Sequence, residues 1–172
     1  MSIPRLALLD RDGTLNRKAP EGEYVTSPAE LELLPGAAEA VRRLNAAGVA
    51  VAVVTNQRAI ALGRLDARGL DAIHSELQAR LAEAGARIDG FYHCPHEADT
   101  CACRKPEPGL LAAAARDFGV AAADSVMIGD ADSDVEAGRR FGARTVQLAE
   151  RSSVATETAP GLLQAVELVL AQ

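Results

Sequence analysis

Asp10 and Asp12 lie two residues apart in Asp10-Arg11-Asp12-Gly13-Thr14, directly after the apolar run Leu6 to Leu9. Two carboxylates at a strand end can face one crevice, and Gly13 permits the sharp turn between them. A second acidic group, Asp130 with Asp132 and Asp134, follows the apolar run Ser125 to Gly129. Carboxylates gathered in one place repel unless a cation sits among them. Such oxygen ligands suit Mg²⁺, which takes one or two carboxylates, waters and a substrate phosphate. Taken singly, Asp10 and Asp12 read as turn caps and Asp132 as a helix cap. Taken together at successive strand ends, they read as a site.

A second constellation is Cys94-Pro95-His96 followed by Cys101-Ala102-Cys103. Three thiolates and one imidazole in so short a stretch form a structural zinc set, closed by four protein ligands. Zinc bound there would order the loop that carries Arg104 and Lys105. The three cysteines are an odd count, which a disulfide framework would not use up, and their clustering points to a reducing compartment. His93 competes with His96 as a ligand, but it adjoins Cys94. His74 falls in a helical segment and reads as ordinary surface. Of the 18 basic residues only Lys18 and Lys105 are lysine. Where arginine is so favoured, a lysine hints at a position that a guanidinium does not fill well.

The elements that must position these residues alternate. Apolar runs at Leu6 to Leu9, Val49 to Val54 and Ser125 to Gly129 read as buried strands, with further strands at Ile88 to Tyr92 and Thr145 to Leu148. Helical spacing marks Gly36 to Ala47, Leu70 to Ala84, Pro108 to Phe118, Asp132 to Phe141 and Gly161 to Leu170. Residues Arg11 to Tyr24 and His93 to Pro108 read as loops. Apolar strands alternating with amphipathic helices predict an α/β fold, a Rossmann-like parallel sheet flanked by helices. Sites in such sheets lie beyond the carboxyl ends of the strands. Asp10, Thr55-Asn56 and Gly129-Asp130 occupy three of those ends.

Composition narrows the function classes. The chain has 172 residues, 48% hydrophobic and 24% charged, which fits one globular domain over residues 1–172. A formal charge of −6 argues against a nucleic-acid partner, and 3% aromatic content argues against a base-stacking platform. The N-terminal stretch lacks signal-peptide features, and no apolar run is long enough for a membrane span. A cytoplasmic monomer without membrane contact is expected.

The motifs carry a family resemblance. Asp10-Arg11-Asp12-Gly13-Thr14-Leu15-Asn16 resembles the first motif of the haloacid dehalogenase superfamily of phosphatases. Val53-Val54-Thr55-Asn56-Gln57 resembles the second, Arg104-Lys105-Pro106 the third, and Gly129-Asp130 with Asp134 the fourth. The finer resemblance is to the small zinc-loop phosphatases without a large cap. That group includes D-glycero-D-manno-heptose 1,7-bisphosphate 7-phosphatases and histidinol-phosphate phosphatases.

The resemblance implies a Mg²⁺-dependent phosphomonoester hydrolase acting on a small phosphorylated sugar. Asp10 would be the nucleophile. Asp12 would be the general acid and then base, so neighbours are expected to raise its pKa. Mg²⁺ would bind Asp10, Asp130 and the Asp12 backbone carbonyl. Thr55, Asn56, Gln57, Arg58, Arg104 and Lys105 would meet phosphate or sugar, with Asp134 supporting. Structural Zn²⁺ would take Cys94, His96, Cys101 and Cys103. The heptose 7-phosphate is the first expectation for substrate, and histidinol phosphate or another small sugar phosphate is the alternative. A phospho-accepting receiver switch is the non-enzyme alternative. It would place its acceptor Asp at a middle strand end, where this chain has Thr55-Asn56. Two departures bear on the substrate: Arg58-Ala59 follows Gln57 where the heptose enzymes often carry Ser-Gly, and Ala131 replaces a common Lys. Arg17, Lys18 and Tyr24 in the first loop are also available to a substrate.

Overall fold

A computed structural model of the protein describes residues 2–155 and 157–171. Six strands form one parallel sheet: β1 (Leu6–Leu9), β2 (Ala50–Asn56), β3 (Gly90–Cys94), β4 (Ser125–Gly129), β5 (Arg144–Leu148) and β6 (Thr158–Ala159). Their order is β3-β2-β1-β4-β5-β6. Chain direction across the sheet reverses between β1 and β4, and open α/β sheets bind ligands in the crevice at such a reversal. The expected fold class is the one observed.

Strand alternation divides the core into two layers. Ala7, Leu9, Val126 and Ile128 point to one face, where α1 (Ala37–Ala46), α3 (Ala67–Glu83) and α6 (Leu162–Leu170) bury their apolar stripes. Leu6, Leu8 and Met127 point to the other, covered by α4 (Gly109–Phe118) and α5 (Asp132–Phe141). Both faces being buried explains why β1 is apolar throughout and β4 is apolar after Ser125. No helix among the described residues is long and apolar enough to cross a membrane.

Several elements differ from the sequence reading. The third helix starts at Ala67, not Leu70, because Asp66 caps it by accepting the Gly69 N–H at 2.7 Å. A short helix, α2 (Arg58–Ala61), occupies a stretch to which the sequence reading assigned no element. β6 is too short to show an alternation pattern, and it pairs with the end of β5. In addition, β3 runs through His93 to Cys94, so the first cysteine of the cluster is a strand residue.

Candidate active site

The site is built where β1 and β4 end side by side. Leu9 is in register with Ile128, and the Asp10 N–H donates to the Ile128 carbonyl at 3.0 Å. The chain then turns tightly on the Arg11 carbonyl, which accepts from the N–H groups of Thr14, Leu15 and Asn16. Gly13 has φ +86°, and a Cβ there would collide with the Asp130 carboxylate. A Cβ at Gly129 would collide with the Asp134 carboxylate. These two glycines make the room in which carboxylates from both strand ends converge. One oxygen from each of Asp10, Asp130 and Asp134 lies within 4.8 Å of the others.

Lys105 is inserted among them, with its side chain only 2% exposed. Its ammonium donates to Asp10 at 2.8 Å and to Asp134 at 2.6 Å. Burial works against its proton, but Asp10 and Asp134 outweigh burial and hold its pKa above the ordinary lysine value. Lys18 donates to Asp130 at 3.0 Å. Both lysines of the chain therefore sit on the acidic trio, and both line the cavity above it. Three carboxylates facing two ammonium groups leave one negative charge uncompensated. Burial first, then Asp134, pushes the Asp10 carboxyl up to about 8, although Lys105 pulls the other way.

Asp12 is surrounded by donors. Arg11 Nη2 reaches its two oxygens at 2.9 and 3.2 Å, Asn16 Nδ2 at 3.0 Å and Gln57 Nε2 at 3.2 Å. Asp134 keeps its second oxygen on the Ala131 N–H at 3.0 Å, at the start of α5. Both oxygens of Asp134 are thus engaged. One oxygen of Asp130 is buried with no partner among the described residues. An all-oxygen donor set, an unpartnered carboxylate oxygen and an uncompensated charge fit a hard cation such as Mg²⁺. Asp10 and Asp130 could hold it.

The residues read as phosphate or sugar contacts separate into two groups. Arg104, Lys105, Asn56 and Gln57 line a cavity of about 320 Å³ together with Asp10, Asp12, Lys18 and Tyr24. A buried Arg104 nitrogen, Nη1, has no partner there, a donor suited to an anion. Asn56, however, uses its amide as a clamp. It accepts the Lys105 N–H at 3.0 Å and donates to the Lys105 carbonyl at 3.1 Å. Thr55 is buried beneath Gln57, which donates to its hydroxyl oxygen at 2.9 Å, and it is absent from the lining. Arg58 is likewise outside the lining and pairs with Glu97 at 2.8 Å. Arg17 pairs with Glu32 at 3.1 Å. His74 is not surface: it is 7% exposed and bonded to Arg11. Sequence reasoning also missed the full burial of Arg11.

The cysteine cluster closes as its spacing suggests. Cys94, His96 Nδ1, Cys101 and Cys103 make five mutual approaches of 3.2–3.5 Å. Ligands on a tetrahedral zinc with Zn–S near 2.3 Å stand about 3.8 Å apart, so the set is close to that geometry. No disulfide joins the cysteines. The thiols split when packed this way. Burial raises the Cys101 thiol, but the N–H groups of Arg104 and Cys103 together with the Cys103 and Cys94 thiols bring it down to about 6, while burial and its sulfur neighbours push Cys103 up to about 12. Four soft or borderline donors could hold a tetrahedral metal. The cluster touches the site directly, since the Arg104 N–H donates to the Cys101 sulfur at 3.3 Å.

Comparison with known proteins agrees with the fold. Residues 5–142 match the family described as haloacid dehalogenase-like hydrolase, and the chain belongs to that family. Over 143 residues it is 38% identical to the D-glycero-beta-D-manno-heptose-1,7-bisphosphate 7-phosphatase of Pseudomonas putida, covering 83% of this chain and 81% of that one. It is 43% identical over 130 residues to the D-glycero-alpha-D-manno-heptose-1,7-bisphosphate 7-phosphatase of Mycobacterium tuberculosis, covering 74% and 68%. The D,D-heptose 1,7-bisphosphate phosphatase of B. bronchiseptica, solved with magnesium and phosphate, superposes with a TM-score of 0.87 at 32% identity, covering 96% of this chain and 98% of that one.

Proposed function

We propose that the chain is a cytoplasmic, monomeric phosphatase that removes the 7-phosphate of D-glycero-D-manno-heptose 1,7-bisphosphate, with residues 1–172 acting as one catalytic unit without a large cap. The observation that carries the chemistry is the convergence of Asp10, Asp130 and Lys105 at the reversal point, beneath a cavity lined by Asp12 and Arg104. The relatives' names carry the substrate.

Asp10 attacks phosphorus. A bond forms between its carboxylate oxygen and phosphorus as the bond from phosphorus to the leaving oxygen breaks. Asp12 gives that oxygen its proton, and the alcohol departs. Asp12, now a carboxylate, takes a proton from water. The resulting hydroxide attacks phosphorus, the bond to Asp10 breaks, and inorganic phosphate leaves. Lys105 sits at 2.8 Å from Asp10, where charge on the transferred group must be met. Arg104 offers its unpartnered donor to the second phosphate or the sugar. Lys18 and Tyr24 complete the wall on the side of the first loop.

Mg²⁺ held by Asp10, Asp130 and the Asp12 backbone carbonyl would supply the positive charge that keeps Asp10 ionised and polarises the phosphoryl oxygens. Asp134 is left out of that shell because Lys105 and the Ala131 N–H engage it. Zn²⁺ on Cys94, His96, Cys101 and Cys103 would have no open position for substrate, so its part is to fix the 95–107 loop.

The test is phosphate release with Mg²⁺ from both anomers of the heptose bisphosphate, histidinol phosphate and other sugar phosphates. The highest kcat/KM is expected on a heptose 1,7-bisphosphate, and Asp10→Asn abolishes turnover. Preference for histidinol phosphate would replace the substrate. Turnover retained in Asp10→Asn would remove the mechanism.

A further inference from the structure

Arg11 and His74 are buried ionisable groups that the reaction above does not use. Arg11 is 0% exposed. Its guanidinium forks: Nε and Nη2 face the Asp12 carboxylate, at 3.3 Å and at 2.9 and 3.2 Å, while Nη1 meets His74 Nε2 at 3.2 Å. An arginine is charged and can only donate, so His74 Nε2 accepts and its proton resides on Nδ1. The imidazole is itself fixed, stacked on Phe91 with ring centroids 4.4 Å apart and planes 16° from parallel.

A buried arginine beside a catalytic carboxylate has two arrangements open to it. Its planar fork can lie in the Asp12 plane, or it can rotate and re-aim all its donors at once. A partner at Nη1 removes the second choice. Without that partner a buried donor is left unsatisfied, which disfavours the present orientation of the fork. The imidazole suits this task because it stays neutral. Burial first, then the Arg11 charge and His93, hold its pKa down to about 3, and only Asp12 works in the other direction.

We propose that His74 is a positioning residue: through Arg11 it fixes the Asp12 carboxyl in the orientation from which the proton reaches the leaving oxygen. The chain of contacts runs from Phe91 on β3, through His74 on α3 and Arg11 after β1, to Asp12. It joins the helix that packs under β3 to the acid of the reaction. This inference rests on the assignment of Asp12 as general acid.

The dependence on leaving group separates positioning from mere stability. An alkoxide needs a proton as it departs; a nitrophenolate does not. Through kcat/KM, which reports steps up to departure of the leaving group, only the first ester senses the position of Asp12. His74→Leu is expected to lower kcat/KM for a primary sugar phosphate by about 10-fold or more, because a misplaced catalytic group costs on the order of 100-fold. For 4-nitrophenyl phosphate the same variant loses less than about 2-fold, since general acid catalysis has little to offer there. KM for the sugar phosphate stays the same. His74→Gln, which keeps an acceptor toward Arg11, recovers most of the loss. Equal loss on both esters, unchanged turnover of the sugar phosphate, or failure of Gln to restore it would each overturn the proposal. Asp12→Asn is measured beside them. If it shows the ester selectivity and His74→Leu does not, the positioning role fails alone. If Asp12→Asn shows no selectivity, the assignment of the acid fails, and the positioning role with it.

Discussion

The carboxylate cluster and the cysteine cluster meet at Arg104 and Lys105, yet they are held in opposite ways. Asp10 and Asp130 extend from neighbouring central strands whose register is set by paired residues such as Leu9 and Ile128. Their position follows from burial of β1 and β4 on both faces, and a slip by one residue would turn every side chain to the wrong face. The cysteine cluster begins at Cys94 on the edge strand β3 and continues in a segment without helix or strand. There, position comes from side-chain donors and from the clamp of Asn56 on the Lys105 backbone. The place of Asp10 belongs to the fold, whereas the place of Lys105 belongs to a loop that must be tied down.

That contrast can be broken at the point where the two regions join. Lys105→Met leaves Asp10 and Asp134 buried without their ammonium. Breaking a buried pair in this way costs about 3–5 kcal/mol of stability, and loss of a charge facing the transferred group costs about 10²–10³ in kcat. Urea unfolding and steady-state kinetics read the two effects. A variant of wild-type stability would show that the trio is relieved by something other than Lys105.

Metal removal sharpens the comparison. Stripping zinc, or Cys101→Ser, should free the 95–107 loop while leaving the sheet intact. We expect about a 10–100-fold fall in kcat/KM, the usual cost of losing support around a site. Hydrogen exchange should speed up in the loop but not in β1 or β4. Exchange that quickens equally across the sheet would contradict the division. Asn56→Ala removes the second tie and leaves the Lys105 N–H unpaired, at a cost of about 1–3 kcal/mol. Its effect on kcat should be smaller than that of zinc removal and should add to it less than independently.

Much of the sheet side was legible in the sequence. Asp10 and Asp130 follow apolar runs, and a parallel sheet sends such positions to one edge. The loop side was legible only as chemistry. The Cys94, His96, Cys101 and Cys103 cluster is plain in the order of residues, but nothing in Thr55-Asn56-Gln57 says that the amides face the protein. Asn56 turns to Lys105, and Gln57 turns to Asp12 and Thr55, because the chain that passes over them arrives from distant sequence. Arg58 is drawn to Glu97 for the same reason. His74 could have been found. It falls four residues after Leu70 and three before Leu77, on the buried stripe of α3. The preference for lysine at two positions among so many arginines was a usable signal, since both lysines meet the acidic trio.

The most gradual effect concerns pH. His74 has its folded pKa held to about 3, below the ordinary 6.5, so the unfolded chain takes up a proton that the folded chain refuses. Its contribution to stability is complete above pH 6.5 and is lost as pH falls toward 3. The slope is at most about 1.4 kcal/mol per pH unit, near the middle of that window. Comparing wild type with His74→Gln by denaturant unfolding at several pH values isolates this slope. An identical pH dependence in the two would mean that the imidazole is not held neutral.

The central claim is that phosphorus becomes bonded to the side chain that ends β1. Rapid quenching during turnover, followed by borohydride reduction, converts an aspartyl phosphate to homoserine, which peptide mass analysis places in the sequence. Homoserine at position 10, absent from the Asp10→Asn protein, is the predicted result. A reduced residue at any other position, or none while substrate is being consumed and the intermediate is shown to accumulate, would contradict the account.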